Sequence, residues 1–333
     1  MGDIIQTLPA VMDAKTARPD IHFDWVIEEE FKEIIRWSPL IQTIIPCALR
    51  RWRRYPLRIK TYREIYHFLK QLRDQSYDCI IDPQGLLKSS LLTRIARGAA
   101  RYGYAKGCTR GQNVQWAYTK KFRIGWEKHA LTRIRLLFSQ ALHYPFTNSK
   151  PYYGIDRNQF IHSQLSLPKR YLIFIHNASW ISKLWPEAYW LQLMQWVTRS
   201  GKSVLLPWGT LKEQARAQRL AVDTNKVQIL PKVSLSELAY IVSNAEAIVS
   251  VDTGLLHLAA ALDIPTVSIY GPTDNIPVGR NQNYLLANFS CAPCRQRVCR
   301  YTETADQKPA CFTTITPQQV WNALKQLLIK NNN

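Results

Sequence analysis

Short runs of β-branched and aromatic residues alternate along this chain with longer stretches in which apolar positions recur every three or four residues. In the second half the runs Tyr171–His176 (YLIFIH), Ser203–Leu206, Val227–Leu230, Ala247–Val251 and Thr266–Tyr270 predict strands. Helical segments lie between them. One covers Leu211–Val222, and another is opened by Ser234-Leu235-Ser236-Glu237, whose Ser-x-x-Glu spacing fits a capping box. In the first half Ile21–Ile27 (IHFDWVI) and Tyr77–Asp82 (YDCIID) predict strands, with helical periodicity over Tyr62–Leu72. A last amphipathic helix, Pro317–Ile329, closes the chain. Strands alternating with helices of this length predict an α/β protein with parallel, doubly wound sheets, and two such halves in series imply two domains facing a cleft. Pro151, Gly154 and Pro168 punctuate a polar stretch at Asn148–Leu167, where the junction is expected. The reading is an N-terminal domain over 1–155, a second over 165–315, and a C-terminal helix over 316–333 packing back across the domains.

Composition narrows the class. The 333 residues suffice for two buried cores. Forty-four Lys and Arg against 24 Asp and Glu give a formal charge of +20, which points to anionic partners. At 46% hydrophobic and 20% charged residues, the chain is not a disordered polyelectrolyte. It has no uncharged apolar run of the roughly 18 residues a membrane span needs, and no basic-then-apolar secretory pattern follows Met1. A cytoplasmic protein is expected. Residues 50–135 hold 21 Lys and Arg against five Asp and Glu, so +16 of the +20 lies there. The densest run is Arg50-Arg51-Trp52-Arg53-Arg54, followed by Arg58, Lys60 and Arg63. A solvated helical face would account for it. The scarcity of acidic neighbours within the tract argues for an anionic ligand instead, and interleaved Trp52, Tyr55, Tyr62 and Tyr66 would suit nucleic-acid stacking or a membrane interface.

In an open α/β sheet, ligands bind beyond the carboxyl ends of strands. The sharpest such junction is Val251-Asp252-Thr253-Gly254-Leu255-Leu256-His257, where a strand passes through a small polar turn into a helix. The Thr253 and Gly254 amides at a helix N-terminus favour phosphate. Asp252 could cap the helix or accept hydrogen bonds from sugar hydroxyls. After Tyr171–His176, the segment Asn177–Pro186 carries Lys183, a compact charge able to neutralise a phosphoryl leaving group. After Ser203–Leu206 comes Pro207-Trp208-Gly209-Thr210 with Glu213, which could hold a ribose diol or lie on a solvated helix face. Tyr270-Gly271-Pro272-Thr273-Asp274 is a fourth strand-end turn.

Together, Met1-Gly2-Asp3-Ile4-Ile5-Gln6-Thr7-Leu8-Pro9-Ala10, Asp82-Pro83-Gln84-Gly85-Leu86-Leu87-Lys88-Ser89, Lys183-Leu184-Trp185-Pro186, Leu206-Pro207-Trp208-Gly209, Val251–His257 and Tyr270–Asp274 resemble glycosyltransferase family 9, in order and over nearly the whole chain. The resemblance implies a GT-B architecture of two Rossmann-like domains. It also implies inverting transfer of L-glycero-D-manno-heptose from ADP-heptose to the Kdo residue of Kdo-lipid A, in lipopolysaccharide inner-core synthesis. Asp3 matches the general base, the carboxylate that takes the acceptor hydroxyl's proton on the face opposite the departing nucleotide. Ser179, Lys183, Thr253 and Gly254 match the diphosphate site, Glu213 the ribose position, and Asp252 the donor-sugar contact. His257 matches a position that supports the phosphate loop. Arg50, Arg51, Arg53 and Arg54 match the acceptor-binding basic stretch, joined by Arg110 and Arg133, since guanidinium forks suit carboxylates and phosphates. On this reading no cofactor is required, and no metal is needed to neutralise the diphosphate. The basic face holds a monomer against the anionic cytoplasmic leaflet of the inner membrane, and nucleic acid is not a partner. Heptosyltransferase II or another core transferase of the family is the alternative, and a basic nucleic-acid-binding protein is the alternative of a different class.

The chain departs from the family pattern twice. Family members carry a strand and a Lys-Thr-Ser-Ser-type turn before the Met-Gly-Asp motif, so the first strand of the N-terminal domain is expected to be missing. Its loss should leave an apolar slot and unpaired backbone groups. The second departure is Cys291-x2-Cys294-x4-Cys299-x11-Cys311, whose spacing is compatible with structural tetrahedral zinc and equally with free thiols. It resembles a pattern in other members of the family. Cys47, Cys79 and Cys108 read as buried or incidental.

Overall fold

Parallel strands alternating with helices fill both halves of the chain, in a computed structural model that describes residues 1–221, 225–301 and 309–332. The chain divides into two units, Asp3–Gln159 and Phe160–Asn333, and the break falls inside the polar stretch read as the junction.

The second unit follows the predicted pattern closely. Its elements in order are β6 (Tyr171–Ile175), α7 (Glu187–Arg199), β7 (Ser203–Leu206), α8 (Leu211–Leu220), β8 (Val227–Ile229), α9 (Leu235–Ser243), β9 (Ala247–Val251), α10 (Gly254–Ala261), β10 (Thr266–Tyr270), β11 (Gln282–Leu286) and α11 (Pro317–Asn332). The six strands form one parallel sheet in the order β11-β10-β9-β6-β7-β8. Every residue of β6, β9 and β10 is buried, as expected of central strands covered on both faces. Val222, placed by sequence in the α8 helix, lies outside the described residues. Helix α9 starts where its cap predicts, with the Ser234 hydroxyl accepting from the Glu237 amide. The C-terminal helix α11 belongs to this unit, packing on α7 and on β9, β10 and β11.

The first unit contains α1 (Gly2–Ala17), β1 (Phe23–Glu28), α2 (Lys32–Arg36), β2 (Ile41–Cys47), α3 (Leu49–Arg54), α4 (Ile59–Leu72), β3 (Tyr77–Ile81), α5 (Leu87–Ile95), β4 (Gly98–Tyr104), β5 (Lys120–Phe122) and α6 (Ala130–Leu142). Pattern reading missed β2, β4 and β5, which carry an internal proline, two glycines, or only three residues. These strands form two sheets: β1 pairs with β2, and β3, β4 and β5 pair in that order, all parallel. Between the sheets lies a cavity of about 360 Å³. The β3–α5 turn is built around Asp82, whose carboxylate accepts from the Gln84 and Gly85 amides (2.9 and 3.1 Å), the Ser89 hydroxyl (2.8 Å) and the Tyr118 hydroxyl (2.7 Å). Gly85 has φ +60°, which a side chain would strain.

Candidate active site

The sheet of the second unit changes direction at β6. From there the chain steps outward through β7 to β8, then returns to the other side of β6 as β9. Crevices at such a reversal, beyond the carboxyl ends of the strands, are where open α/β sheets bind ligands. The segments that leave β6 and β9 carry the predicted donor residues. Asp252 is buried, and its Oδ2 accepts from Lys183 Nζ at 2.6 Å and from Thr273 Oγ1 at 2.6 Å. The Lys183 ammonium also lies 4.6 Å from the Trp180 ring centroid. Thr253, in extended backbone, stands at the N-cap position of α10 without a side-chain cap bond, so Asp252 is not the cap and its carboxylate serves Lys183 and Thr273 instead. Gly254 opens the helix, and its first turn supplies amides without intrahelical partners. His257, one turn into α10, is buried. Ser179 is exposed in the segment after β6.

Glu213 has a local duty that sequence reasoning missed. Its Oε2 accepts from the Gly209 and Thr210 amides at 2.7 and 2.9 Å, while Thr210 Oγ1 accepts from the Glu213 amide. The pair is a capping box at the start of α8, visible in the sequence as Thr-x-x-Glu.

His176, at the end of β6, was also missed. Burial pushes its imidazole down to about 3, with Arg216 adding to the effect and Glu187 and a hydrogen bond to Asn177 opposing it. A histidine held neutral in the fold binds fewer protons than in the unfolded chain, where it titrates near 6.5. Its contribution to stability is therefore complete at neutral pH and is lost as pH falls below 6.5 toward 3. Between pH 6.5 and 5 this one group should cost about 1.5 kcal/mol. Urea unfolding at the two pH values measures the loss, and His176→Asn should remove that part of the pH dependence.

In the first unit, Asp3 lies in the first turn of α1, and Arg110 Nη1 donates to both of its carboxylate oxygens at 3.0 Å. Both side chains remain about two-fifths exposed. Asp3, Arg110, Trp126 and Arg133 line a small pocket of about 20 Å³. Arg133 is buried, stacked 3.7 Å from the Trp126 ring centroid and hydrogen-bonded to the Cys108 carbonyl. Burial drives its guanidinium below its usual range.

The basic tract is less bare of carboxylates than its own composition suggests. Arg50 pairs with Glu30 (2.7 Å), and Arg51 pairs with Glu29 (2.9 Å) and Glu64 (2.6 Å). The β1–β2 register places Glu28 opposite Cys47, and so brings Glu28–Glu30 beside α3. Trp52, read as a stacking aromatic, is a core residue tied to Glu64. Arg53 and Arg54 are exposed. The exposed face of the α3–α4 corner carries Leu57 (85% exposed), Ile59 (74%), Tyr62 and Tyr66, among Arg53, Arg54, Arg58, Lys60 and Arg63.

The four downstream cysteines do not meet the zinc expectation. Among the described residues no group of three or more His, Cys, Asp or Glu side chains is arranged to hold a metal ion. Burial pushes the Cys311 thiol up to about 12, the neighbouring cysteines adding to the shift, whereas Cys291 is exposed. All seven cysteines are free.

Two parallel α/β units are the architecture of a sugar-transferring enzyme class, and residues 65–305 match the model of glycosyltransferase family 9 (heptosyltransferase), to which this chain belongs. It is similar to lipopolysaccharide heptosyltransferase 1 of Pseudomonas aeruginosa, 41% identical with 99% of this chain and 96% of that one covered. The Salmonella typhimurium lipopolysaccharide heptosyltransferase 1 is also 41% identical, over 92% of this chain and 95% of its own. The solved structure of E. coli heptosyltransferase WaaC with ADP superposes with a TM-score of 0.83 at 36% identity, covering 99% of this chain and 97% of that one. No helix among the described residues is long and apolar enough to cross a membrane.

Proposed function

We propose that this chain is an inverting heptosyltransferase of GT-B type that moves L-glycero-D-manno-heptose from ADP-heptose to the Kdo residue of Kdo-lipid A. Its similarity to heptosyltransferase 1 over almost its full length carries the reading. Identity falls to 27% with heptosyltransferase 2 of S. typhimurium, which favours the first heptose transfer over the second. Asp3 takes the proton from the attacking hydroxyl as the bond to the anomeric carbon forms. Arg110, which holds that carboxylate before substrate arrives, is suited to shift to an acidic group of the acceptor and leave Asp3 free to accept the proton. The departing ADP carries its new charge onto the Thr253 and Gly254 amides and onto Lys183. Asp252, which pairs with Lys183, exchanges that contact for the donor sugar. Glu213 keeps one carboxylate oxygen in its capping box and offers the other to the ribose. Transfer from ADP-heptose to Kdo-lipid A, followed as ADP release, tests the reading; no transfer with a folded enzyme overturns it.

The α3–α4 corner supports peripheral attachment to an anionic leaflet. Each basic side chain there adds about 1 kcal/mol near such a surface, and an inserted Leu57 or Ile59 adds roughly 1.5–3 kcal/mol. Leu57→Ser with Ile59→Ser should weaken co-sedimentation with phosphatidylglycerol vesicles at least about tenfold, and leave transfer to a detergent-dispersed acceptor unchanged. Equal sedimentation of parent and variant would remove this corner from the membrane contact.

A further inference from the structure

The segment that follows β11 carries Arg295, Arg297 and Arg300, which neither the donor residues assigned above nor the basic tract of the first unit absorbs. It is docked on the residues that hold Lys183. Ser182, buried in the single turn Ile181–Lys183, donates through its amide to the Arg297 carbonyl (3.2 Å) and through its hydroxyl to the Gln296 carbonyl (2.6 Å). Both donors of one buried serine are thus engaged by two consecutive carbonyls of a distant part of the chain. A second anchor lies close by. The Arg295 amide donates to the Pro272 carbonyl (2.8 Å), and the Arg295 guanidinium meets Asp274 at 3.2 Å. Between Pro272 and Asp274 stands Thr273, whose hydroxyl donates to Asp252, the partner of Lys183. The segment therefore bridges the two arms that hold the Lys183–Asp252 pair, and it carries Arg297 to them. The Arg297 guanidinium lies 5.8 Å from the Trp180 ring centroid, and the Lys183 ammonium lies 4.6 Å from the same centroid. Arg297 is exposed, and in the ion pairs of the described residues no carboxylate meets it. Like charges gathered about one ring repel each other unless an anion joins them.

We propose that Arg297 is a second cation of the donor site, joining Lys183 on the diphosphate of the nucleotide sugar and on the ADP that departs.

This role rests on the reading of Lys183 as a diphosphate ligand, and charge supplies the reason for it. Each phosphate of a diphosphate ester carries a negative charge, and ADP gains another as its bond to the anomeric carbon breaks. Lys183 contributes a single positive charge and the N-terminus of α10 about half of one. A centre built on these alone stays negative at the moment of departure. A guanidinium beside the ammonium closes most of that difference, and its planar fork takes two phosphate oxygens at once where the ammonium acts as a point charge. The Trp180 face holds the guanidinium without a carboxylate that the donor would have to displace. Ser182 is then a positioning residue, because its two bonds set where the Arg297 side chain begins.

Calorimetric binding of ADP and of adenosine to the parent chain, Arg297→Ala, Arg297→Lys and Arg300→Ala tests this. Arg297→Ala should weaken ADP binding about 10- to 100-fold, as loss of a hydrogen bond to a charged group does. Adenosine, which has no phosphate, should stay within about twofold. Arg297→Lys keeps the charge without the fork and should fall between parent and alanine. Arg300→Ala removes the same charge from the same exposed segment and should match the parent, and every variant should keep the parental Tm to within about 2 °C. Ser182→Ala should weaken ADP several-fold in the parent and add little in Arg297→Ala, since it acts through that side chain; equal losses in both backgrounds would overturn the positioning role. Parental ADP affinity in Arg297→Ala, equal losses of ADP and adenosine, or equal losses in Arg297→Ala and Arg300→Ala would overturn the assignment of Arg297. The variant Lys183→Ala/Asp252→Asn separates this from the donor reading. Weakened ADP there with parental affinity in Arg297→Ala removes Arg297 alone, whereas parental affinity in both removes the diphosphate site with it.

Discussion

Replacing Asp3 by asparagine should lower kcat for heptose transfer by two to four orders of magnitude, the range expected when a general base is removed, while ADP binding stays within about twofold. The asparagine keeps the shape of the side chain and can still meet Arg110, so the loss would report the missing proton acceptor and not a rearranged α1. ADP-release kinetics at saturating donor, together with calorimetric ADP binding, separate the two effects. A variant retaining more than about a tenth of parental kcat would take the base role away from Asp3. Arg110→Ala should act differently, raising the KM for acceptor more than it lowers kcat, because the guanidinium is assigned to the acidic acceptor and not to the proton.

Lys183→Ala should give the second large effect, in two quantities at once. The ammonium is the only partner that carries a full positive charge against the buried Asp252 carboxylate in the described ion pairs. Its removal leaves that carboxylate with Thr273 alone, at a cost of roughly 3–5 kcal/mol in stability. In catalysis the loss of charge at the leaving diphosphate should lower kcat/KM for the donor by about 100- to 1,000-fold. The double variant Lys183→Ala/Asp252→Asn distinguishes the roles. Stability should largely return, because no buried charge is left unpaired, whereas transfer should not. If the double variant recovered activity together with stability, Lys183 would be a structural partner of Asp252 and not a diphosphate ligand.

The two variants probe residues that the sequence marks in different ways. Asp3 and Lys183 lie in motifs legible along the chain, and the helix N-terminus at Thr253-Gly254 was legible from a strand, a small polar turn and an apolar helix in succession. The bond between Lys183 and Asp252 was not legible. The residues are 69 positions apart, and only the adjacency of β6 and β9 in the sheet makes them neighbours. The same holds for the basic tract, whose charges looked unpaired because their carboxylates, Glu29 and Glu30, precede it by about twenty residues and reach it through the β1–β2 register. Glu213 is the converse case, since its capping box was written locally as Thr-x-x-Glu and was passed over in favour of a ligand.

The sequence by itself determined the elements whose local signal is unbroken: the short runs rich in β-branched residues that became the fully buried strands β6, β9 and β10, and the helix α9 that follows a local cap. Such a run or cap is a local property of the chain. Tertiary structure alone decided which strands became neighbours, which charges met, and where a cavity was left between two sheets. It also made strands of β2, with Pro46 in it, and of the glycine-bearing β4, because pairing along a sheet outweighs weak local preference. Hydrogen-bonded register joins residues far apart in the chain, so no local pattern of apolar and polar positions can encode it.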